Sequence, residues 1–239
     1  MQASALVTAT VTLVSPMTTP KPAALTPAKL ANLFDQLPPK IADLARHGRI
    51  ERFAADEMLT QEGKKDDTLH VLLSGRIKVF DNNEDGQEIT YGVFGAGDYF
   101  GEMTLDGGPR SASVVALEPT VCAILSQAAV RSYIASHGDF AFELIVTLIS
   151  RVRNATRIAR ELTLVSVYGR LARFVERSAT AQVGGTRTIE ERLTQTDIAA
   201  RIGASRESVS RILNDWERDG YIRIVQKRIT VLRALPDKP

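Results

Sequence analysis

Apolar residues recur at helical spacing along one stretch near the middle of the chain, residues 139–163. Steps of four, three, four, three and four residues separate Ile145, Ile149, Val152, Thr156, Ala159 and Thr163. This is the spacing of a two-stranded coiled-coil seam. It predicts a central helix, on the order of 35 Å long, that pairs with a second copy in a homodimer.

One polar residue, Thr156, interrupts this seam. Its hydroxyl either bonds to its own helix or to its symmetry mate, which fixes the register, or contacts a molecule bound beside the dimer axis. Beside the seam, Arg153, Arg157 and Arg160 form a basic stripe that we interpret as solvated surface.

Before the central helix the chain changes to short segments rich in Val, Ile, Phe and Tyr. These are IERFAADEML, TLHVLLSGRIKVF, QEITYGVFGAGDYF, SASVVAL and TVCAIL, divided at Gly75, Asp85-Gly86, Gly95 to Gly97 and Glu118-Pro119. Short strands with tight turns and no intervening helices predict an antiparallel barrel or jelly roll of roughly 90 residues. Upstream, LANLFDQLPPKIADLA predicts two short helices.

After the central helix, VSVYGRLARFVERSATA predicts a further helix, followed by a polar loop through Gly184-Gly185. Two short helical segments come next, capped by Thr194 and Ser205 and joined through a turn at Gly203. This order describes a helix-turn-helix. The alternating segment YIRIVQKRITVL then predicts a two-stranded wing that turns at residues 226–228.

The second of these helices carries base-reading side chains near its start, because arginine can fork onto guanine and glutamate can accept from cytosine. Residues 192–233 hold an excess of four positive charges, against +2 for the whole chain. A phosphate-facing surface explains this excess, and a solvated basic tail is the alternative. We assign contacts with double-stranded DNA to Thr194, Gln195, Ser205, Arg206, Glu207, Ser208, Ser210 and Arg211, and to Lys227 in the wing.

Composition limits the remaining possibilities. The 239 residues, 44% hydrophobic and 24% charged, suit two modest soluble domains and a connector. A single cysteine, Cys122, cannot form a disulfide framework or ligate an iron–sulfur cluster within one chain, and its apolar surroundings predict an inert thiol. His47, His70 and His137 are scattered, without zinc-ligand spacing.

The first 28 residues carry no charge before Lys21 and are rich in Thr, Ala and Pro, so residues 1–28 are expected to be a disordered extension instead of a secretory signal. No apolar run is long enough to span a membrane. We therefore expect a cytoplasmic protein.

A glycine-rich stretch, GDYFGEMTLDGGPRSASV at residues 97–114, carries candidate binding chemistry. The three glycines of GAGDYFG do not fit a dinucleotide fingerprint, because the spacing is one residue too long and no helix follows in a βαβ unit. Glu102 could instead accept from a ribose hydroxyl, while Arg110 and Ser111 hold a cyclic phosphate. A structural salt bridge between Glu102 and Arg110 is the competing interpretation.

This stretch resembles the phosphate-binding cassette of the cyclic-nucleotide-binding fold, with its F-G-E start and R-S-A-x-V end, and GASRESVSRIL resembles a recognition helix of the cyclic AMP receptor protein and FNR superfamily. The resemblance implies an α+β chain with an N-terminal cyclic-nucleotide-binding jelly roll (29–138), a dimerisation helix (139–163) and a C-terminal winged helix-turn-helix (164–239). It places the effector at Gly101, Glu102, Met103, Arg110 and Ser111. Family members meet adenine with hydroxyl residues on the dimer helix, where Ala155 and Thr156 stand in this chain, and only Thr156 has a hydroxyl.

The leading hypothesis is a homodimeric, effector-gated transcription regulator, not an enzyme, that binds a cyclic nucleotide, first of all cyclic AMP. The resemblance implies promoter DNA and RNA polymerase as partners, and no metal, haem or iron–sulfur cluster. One alternative is a regulator that responds to cyclic di-GMP or to no effector. Another is a regulatory subunit of an enzyme or channel, which lacks support because no catalytic constellation or membrane span is present.

Overall fold

The structure is a computed structural model that describes residues 25–84, 86–181 and 186–236. Most of the predicted N-terminal extension lies outside these ranges, as do Asp85 and the predicted loop at Gly184-Gly185. The first helix, α1 (Pro27–Asp35), begins directly after the capping residue Thr26. The predicted boundary of the extension at residue 28 was therefore too late.

The two short helices expected upstream of the strands are α1 and α2 (Pro39–Ala45). Both begin with proline, whose missing N–H would have no partner in the first helical turn anyway. Their apolar faces pack on the barrel, where Phe34, Ile41 and Leu44 are buried.

Eight antiparallel strands form the N-terminal barrel. They are β1 (Arg49–Phe53), β2 (Met58–Thr60), β3 (Thr68–Ser74), β4 (Ile77–Asn82), β5 (Glu88–Phe94), β6 (Tyr99–Phe100), β7 (Ser113–Ala116) and β8 (Thr120–Ser126). Their hydrogen bonds make two sheets, in the orders β1-β8-β3-β6 and β2-β7-β4-β5. The predicted jelly roll is confirmed. The core between the sheets includes Cys122, and burial raises the pKa of its thiol to about 12, so it is protonated near neutral pH.

Helix α3 (Gln127–Ser136) was missed by the sequence analysis. Ser126 caps it, and Val130 and Tyr133 are buried against the same core as α1 and α2. Only three of its residues are large and apolar, Val130, Tyr133 and Ile134, so the helical spacing was too short to indicate a helix.

The predicted central helix is α4 (Gly138–Leu164), one residue longer at each end than expected. Its seam is open in the single chain, since Ile145, Ile149 and Val152 are 52%, 45% and 65% exposed. The Thr156 hydroxyl donates to Val152 O at 2.9 Å. This is the bond to its own helix that the sequence analysis gives as one alternative.

The C-terminal domain contains α5 (Val167–Ser178), β9 (Thr180–Ala181), β10 (Arg187–Ile189), α6 (Gln195–Ile202), α7 (Arg206–Arg218), β11 (Ile222–Val225) and β12 (Arg228–Val231). The helix-turn-helix of α6 and α7 and the β11–β12 wing are as predicted. The wing is not limited to two strands, however, because β10 pairs with β12 and β9 with β10 in a four-stranded sheet. Trp216 and Leu213 of α7 anchor this domain's core.

Local chemistry explains the helix-turn-helix geometry. Thr194 and Asp197 form a reciprocal capping box at the start of α6. Gly203 takes the left-handed conformation at the end of α6, with φ 60°, and Ser205 caps α7. Three short-range signals thus set the angle between the two helices.

The two domains touch along β5 and α6. A salt bridge joins Arg76, in the turn before β4, to Glu191 at 2.9 Å, and Arg201 of α6 forks onto the same carboxylate with two bonds of 2.8 Å. We refer to Arg76, Glu191 and Arg201 as the interdomain triad. A cavity of about 270 Å³ lies beside it, between β5, α4, α5 and α6.

Candidate functional site

A larger cavity, of about 450 Å³, opens between the β2-β7-β4-β5 sheet, the segment after β6 and the inner face of α4. This volume is within the range of small-molecule sites. It brings together five residues assigned from the sequence: Gly101, Glu102, Met103, Arg110 and Ser111. The apolar part of its wall includes Val79, Phe94 and Ile158.

Gly101 is required where the chain turns into this site. Its φ is +89°, a conformation that L side chains rarely adopt. A Cβ at this position would lie 2.1 Å from Arg110 Nη1 and 2.6 Å from Thr68 O. Glycine therefore lets the backbone approach the arginine closely.

Arg110 is 3% exposed, and one of its three guanidinium nitrogens, Nη2, is held by protein groups. Its Nη2 donates to Asp66 Oδ2 at 2.6 Å and to the carbonyl and hydroxyl oxygens of Thr68, both at 2.9 Å. Its Nε and Nη1 are buried and have no hydrogen-bond partner among the described residues. A buried cationic donor without partners is unfavourable, so these two groups are suited to an anion in the cavity.

Asp66 fixes this orientation of Arg110. One of its oxygens accepts from Thr68 N at 3.1 Å and from Thr68 Oγ1 at 2.8 Å, and the other accepts from Arg110. Burial raises the pKa of the Asp66 carboxyl, but the hydrogen bonds from Arg110 and Thr68 and the positive charge of Arg110 outweigh burial, so the pKa is lowered.

Glu102, also buried, forms an ion pair with Arg151 of α4. Arg151 in addition donates to Tyr99 O and lies 5.0 Å from the centre of the Phe94 ring. The alternative salt bridge between Glu102 and Arg110 is therefore wrong, because each residue has a different partner. A carboxylate has about four acceptor sites, so Glu102 can accept a further hydrogen bond.

Arg151 and Asp66 were both missed by the sequence analysis. A signal for Arg151 was available, because Thr147, Arg151, Asn154 and Ile158 follow steps of four, three and four residues on a second face of α4. For Asp66 there was none, since it lies 44 residues from Arg110 in the chain.

The outer part of the site is formed by Met103 and Ser111, both exposed, with Ser111 Oγ 3.2 Å from Met103 Sδ. Thr156, by contrast, does not line the cavity of its own chain. It lies on the exposed seam, and the neighbouring Ala155 forms the cavity wall instead. Its position on α4 turns Thr156 toward the seam, so its contact with a molecule bound beside the dimer axis stays a prediction.

The residues assigned to DNA contact lie around the start of α7 and the wing. Arg206, Glu207 and Arg211 are exposed, and Lys227 lies in the exposed turn of the wing with φ 65°. The hydroxyls of Thr194 and Ser205 serve as helix caps, and Ser205 also bonds Ser208. Gln195 and Ser210 are partly exposed.

A cavity beside a buried arginine in a jelly roll, joined by a long helix to an exposed helix-turn-helix, is the architecture of DNA-binding regulators that carry an effector domain. The comparisons agree with this class. The cyclic nucleotide-binding domain matches residues 50–137, and the Crp-like helix-turn-helix domain matches residues 169–234. The chain belongs to the CRP/FNR superfamily of transcription regulators, which are not enzymes.

Individual relatives support the assignment. The chain is 30% identical over 207 residues to a CRP-like cAMP-activated global transcriptional regulator of Mycobacterium tuberculosis, covering 84% of this chain and 92% of the relative. It is 31% identical over 189 residues to the cAMP-activated global transcriptional regulator CRP of Pasteurella multocida, with 77% and 90% covered. The c-di-GMP responsive global regulator CLP of Xanthomonas campestris shares the fold, with a TM-score of 0.69 at 22% identity over 81% of this chain and 98% of that one.

In residues 25–84, 86–181 and 186–236, no helix combines the length and apolar character needed to cross a membrane. No group of three or more His, Cys, Asp or Glu side chains in these ranges is arranged to hold a metal ion.

The lowered pKa of Asp66 generates a prediction on stability. Because the folded-state value lies below the unfolded value of 3.8, the ionised carboxylate stabilises the fold fully above that pH and loses its effect as the pH falls through the folded-state pKa. Asp66→Asn should lower Tm by a few degrees at pH 7, and the difference from wild type should shrink below pH 4. Thermal melts from pH 7 to pH 2.5 measure this, with the exposed neighbour Asp67→Asn as control. Equal pH profiles for Asp66→Asn and wild type would contradict the assignment.

Proposed function

We propose that the protein is a homodimeric transcription regulator in which a cyclic nucleotide, cyclic AMP in the first place, binds the 450 Å³ cavity and controls sequence-specific promoter binding. The observation that carries the proposal is the buried Arg110, whose Nε and Nη1 are left without partners beside that cavity. A cyclic phosphate carries one negative charge and two exocyclic oxygens. Its negative charge and acceptor oxygens therefore complement the unpartnered cationic donors of Arg110.

The remaining groups of the site fit a ribose cyclic phosphate. Glu102 accepts from the ribose 2′-hydroxyl, and its ion pair with Arg151 holds the carboxylate at the cavity wall. Ser111, the residue after Arg110, adds a hydroxyl donor to the phosphate. These assignments follow from the sequence motif and agree with the positions of the side chains around the cavity.

Cyclic AMP is preferred over cyclic di-GMP for two reasons. The relatives from Mycobacterium tuberculosis and Pasteurella multocida are cAMP-activated. Cyclic di-GMP has two phosphates, whereas one buried arginine with free donors faces the cavity and the second, Arg151, is engaged by Glu102. The c-di-GMP responsive neighbour shares the fold at 22% identity, so cyclic di-GMP remains the second candidate. An effector-independent regulator would leave the buried donors of Arg110 unused.

Replacement of Arg110 by leucine should remove binding of cyclic AMP and leave the protein folded, because the change deletes charge-assisted donors and retains an apolar stem. Loss of the ion pair with Asp66 should lower Tm by a few degrees, as is expected for Asp66→Asn. Calorimetric titration with cyclic AMP, cyclic GMP and cyclic di-GMP, beside a thermal melt, measures both effects. Arg131→Leu, on the exposed side of α3, is the matched control. Unchanged affinity of the Arg110→Leu protein for every nucleotide would refute the pocket assignment.

The homodimer is inferred from the apolar seam of α4. Ile145, Ile149 and Val152 are about half exposed or more in one chain, at the spacing of a coiled coil. A contiguous exposed apolar patch on a soluble protein marks an interaction site, and a second copy of the same helix offers a matching seam. Thr156 on this seam would then face the partner helix.

Two charges in the seam, Ile149→Glu/Val152→Glu, should separate the dimer, because each glutamate would meet its mate across a dry interface. Light scattering gives the mass, which should fall from twice 26.1 kDa toward 26.1 kDa. The matched control, Arg131→Glu/Ser132→Glu, adds two glutamates to exposed positions of α3. If the seam variant keeps the mass of a dimer, the interface lies elsewhere.

DNA recognition is assigned to the start of α7, with Lys227 in the wing as a phosphate contact. Arg206, Glu207 and Arg211 lie one and four residues apart near the exposed start of one helix, so they can reach neighbouring base pairs. From the resemblance to the family, each half-site should be similar to TGTGA, repeated as an inverted pair about one helical turn apart. RNA polymerase is the expected partner at such promoters.

Replacing Arg206 or Arg211 by alanine should cost about 1 to 3 kcal/mol and relax the preference at one G·C pair. Lys227→Ala should instead weaken all sequences alike and reduce the salt dependence of binding. Binding-site selection, followed by affinity measurements at two salt concentrations, separates a base contact from a phosphate contact. The recognition-helix assignment would be falsified if Arg206→Ala and Glu207→Ala both kept the wild-type sequence preference.

A further inference from the structure

The inner face of α4 carries an amide, Asn154, at the point where the two cavities meet. Asn154 lines both the 450 Å³ cavity and the 270 Å³ cavity. It lies three residues after Arg151, which pairs with Glu102, so the two side chains are about one helical turn apart on the same face. If Glu102 holds the ribose, the base attached to that ribose lies next to Asn154.

The orientation of this amide is fixed by its neighbours. Its Nδ2 donates to Tyr91 O at 3.3 Å, and its Oδ1 accepts from Arg157 Nη2 at 2.7 Å. A carbonyl oxygen can only accept and a guanidinium can only donate, so the reversed amide would lose both bonds. Arg157 is in turn held by Glu161 at 3.0 Å. Within residues 25–84, 86–181 and 186–236, each end of the amide keeps one site without a partner, namely one N–H and one oxygen lone pair.

We propose that Asn154 determines the base specificity of the effector site by reading the N6 and N7 edge of adenine. This inference rests on the proposed nucleotide function. The free lone pair of Oδ1 would accept from the N6 amino group, and the free N–H of Nδ2 would donate to N7. Guanine and hypoxanthine carry an oxygen at position 6. That oxygen would face Oδ1 of Asn154, and two acceptors cannot form a hydrogen bond with each other.

The hydroxyl groups on the cavity wall are less able to distinguish adenine from guanine or hypoxanthine. Thr60 and Ser150 line the cavity with hydroxyls, and a hydroxyl both donates and accepts, so it can adapt to either base. Ala155 has no polar group. The amide of Asn154 presents one donor and one acceptor at positions set by Tyr91 and Arg157, so it can reject the wrong edge.

The test uses full-length protein and three probes that differ at single positions: cyclic AMP, cyclic IMP, which has oxygen at position 6, and 7-deaza-cyclic AMP, which lacks the N7 acceptor. Wild type should bind cyclic AMP about tenfold more tightly than either analogue. Asn154→Leu, of similar size without polar groups, should bind all three equally. Asn154→Gln, which keeps the amide, should retain part of the preference, and the exposed neighbour Arg153→Ala should retain all of it.

The outcomes separate the two proposals. Loss of cyclic AMP binding in Arg110→Leu establishes the cavity as the site, and only then do the probe ratios report on Asn154. If wild type shows no preference for cyclic AMP over cyclic IMP, or if Asn154→Leu keeps the wild-type ratios, base reading by Asn154 is overturned. Equal weakening of all three probes in Asn154→Leu overturns it too, because that result indicates a structural role. If wild type binds no cyclic nucleotide, the proposed function itself fails.

Discussion

Helix α4 has two faces, and this constraint organises the molecule. One face carries the seam of Ile145, Ile149 and Val152, which is open in the single chain. The other face meets the barrel through the ion pair of Arg151 with Glu102 and through the amide of Asn154. Because an α-helix is stiff over several turns, a change at the cavity face necessarily moves the seam face as well.

Electrostatics decides where a ligand fits. Arg110 is buried, and a buried guanidinium must be paired to be tolerated. Asp66 and Thr68 satisfy one of its terminal nitrogens, and two other donor groups remain without partners in the described structure. The site is thus partly neutralised by the protein and completed by an anion. Gly101 makes this arrangement possible because any side chain there would occupy the position of the guanidinium.

Local signals in the sequence were sufficient for much of the fold. Caps at Thr194 and Ser205, the turn at Gly203 and the turns that divide the barrel strands act over a few residues, and each was recognised from the chain alone. Strands β9 and β10 were missed because they have only two and three residues, and helix α3 because its burial depends on packing against distant elements. Within the site, the cassette residues Glu102 and Arg110 could be predicted, but their partners could not. Asp66 and Arg151 are brought to them by the sheet and by α4, over tens of residues of chain.

The interdomain triad sets a limit on how freely the two domains can be exchanged. Arg76 belongs to the barrel, whereas Glu191 and Arg201 belong to the DNA-binding domain, and a shared carboxylate joins them. A chimaera that keeps this barrel but takes its DNA-binding domain from a relative without an acid at that position would place Arg76 and the incoming arginine against each other without a counter-charge. Exchange of domains with such a relative is therefore constrained at one residue, Glu191. The linear order of barrel, central helix and DNA-binding domain would by itself permit the exchange.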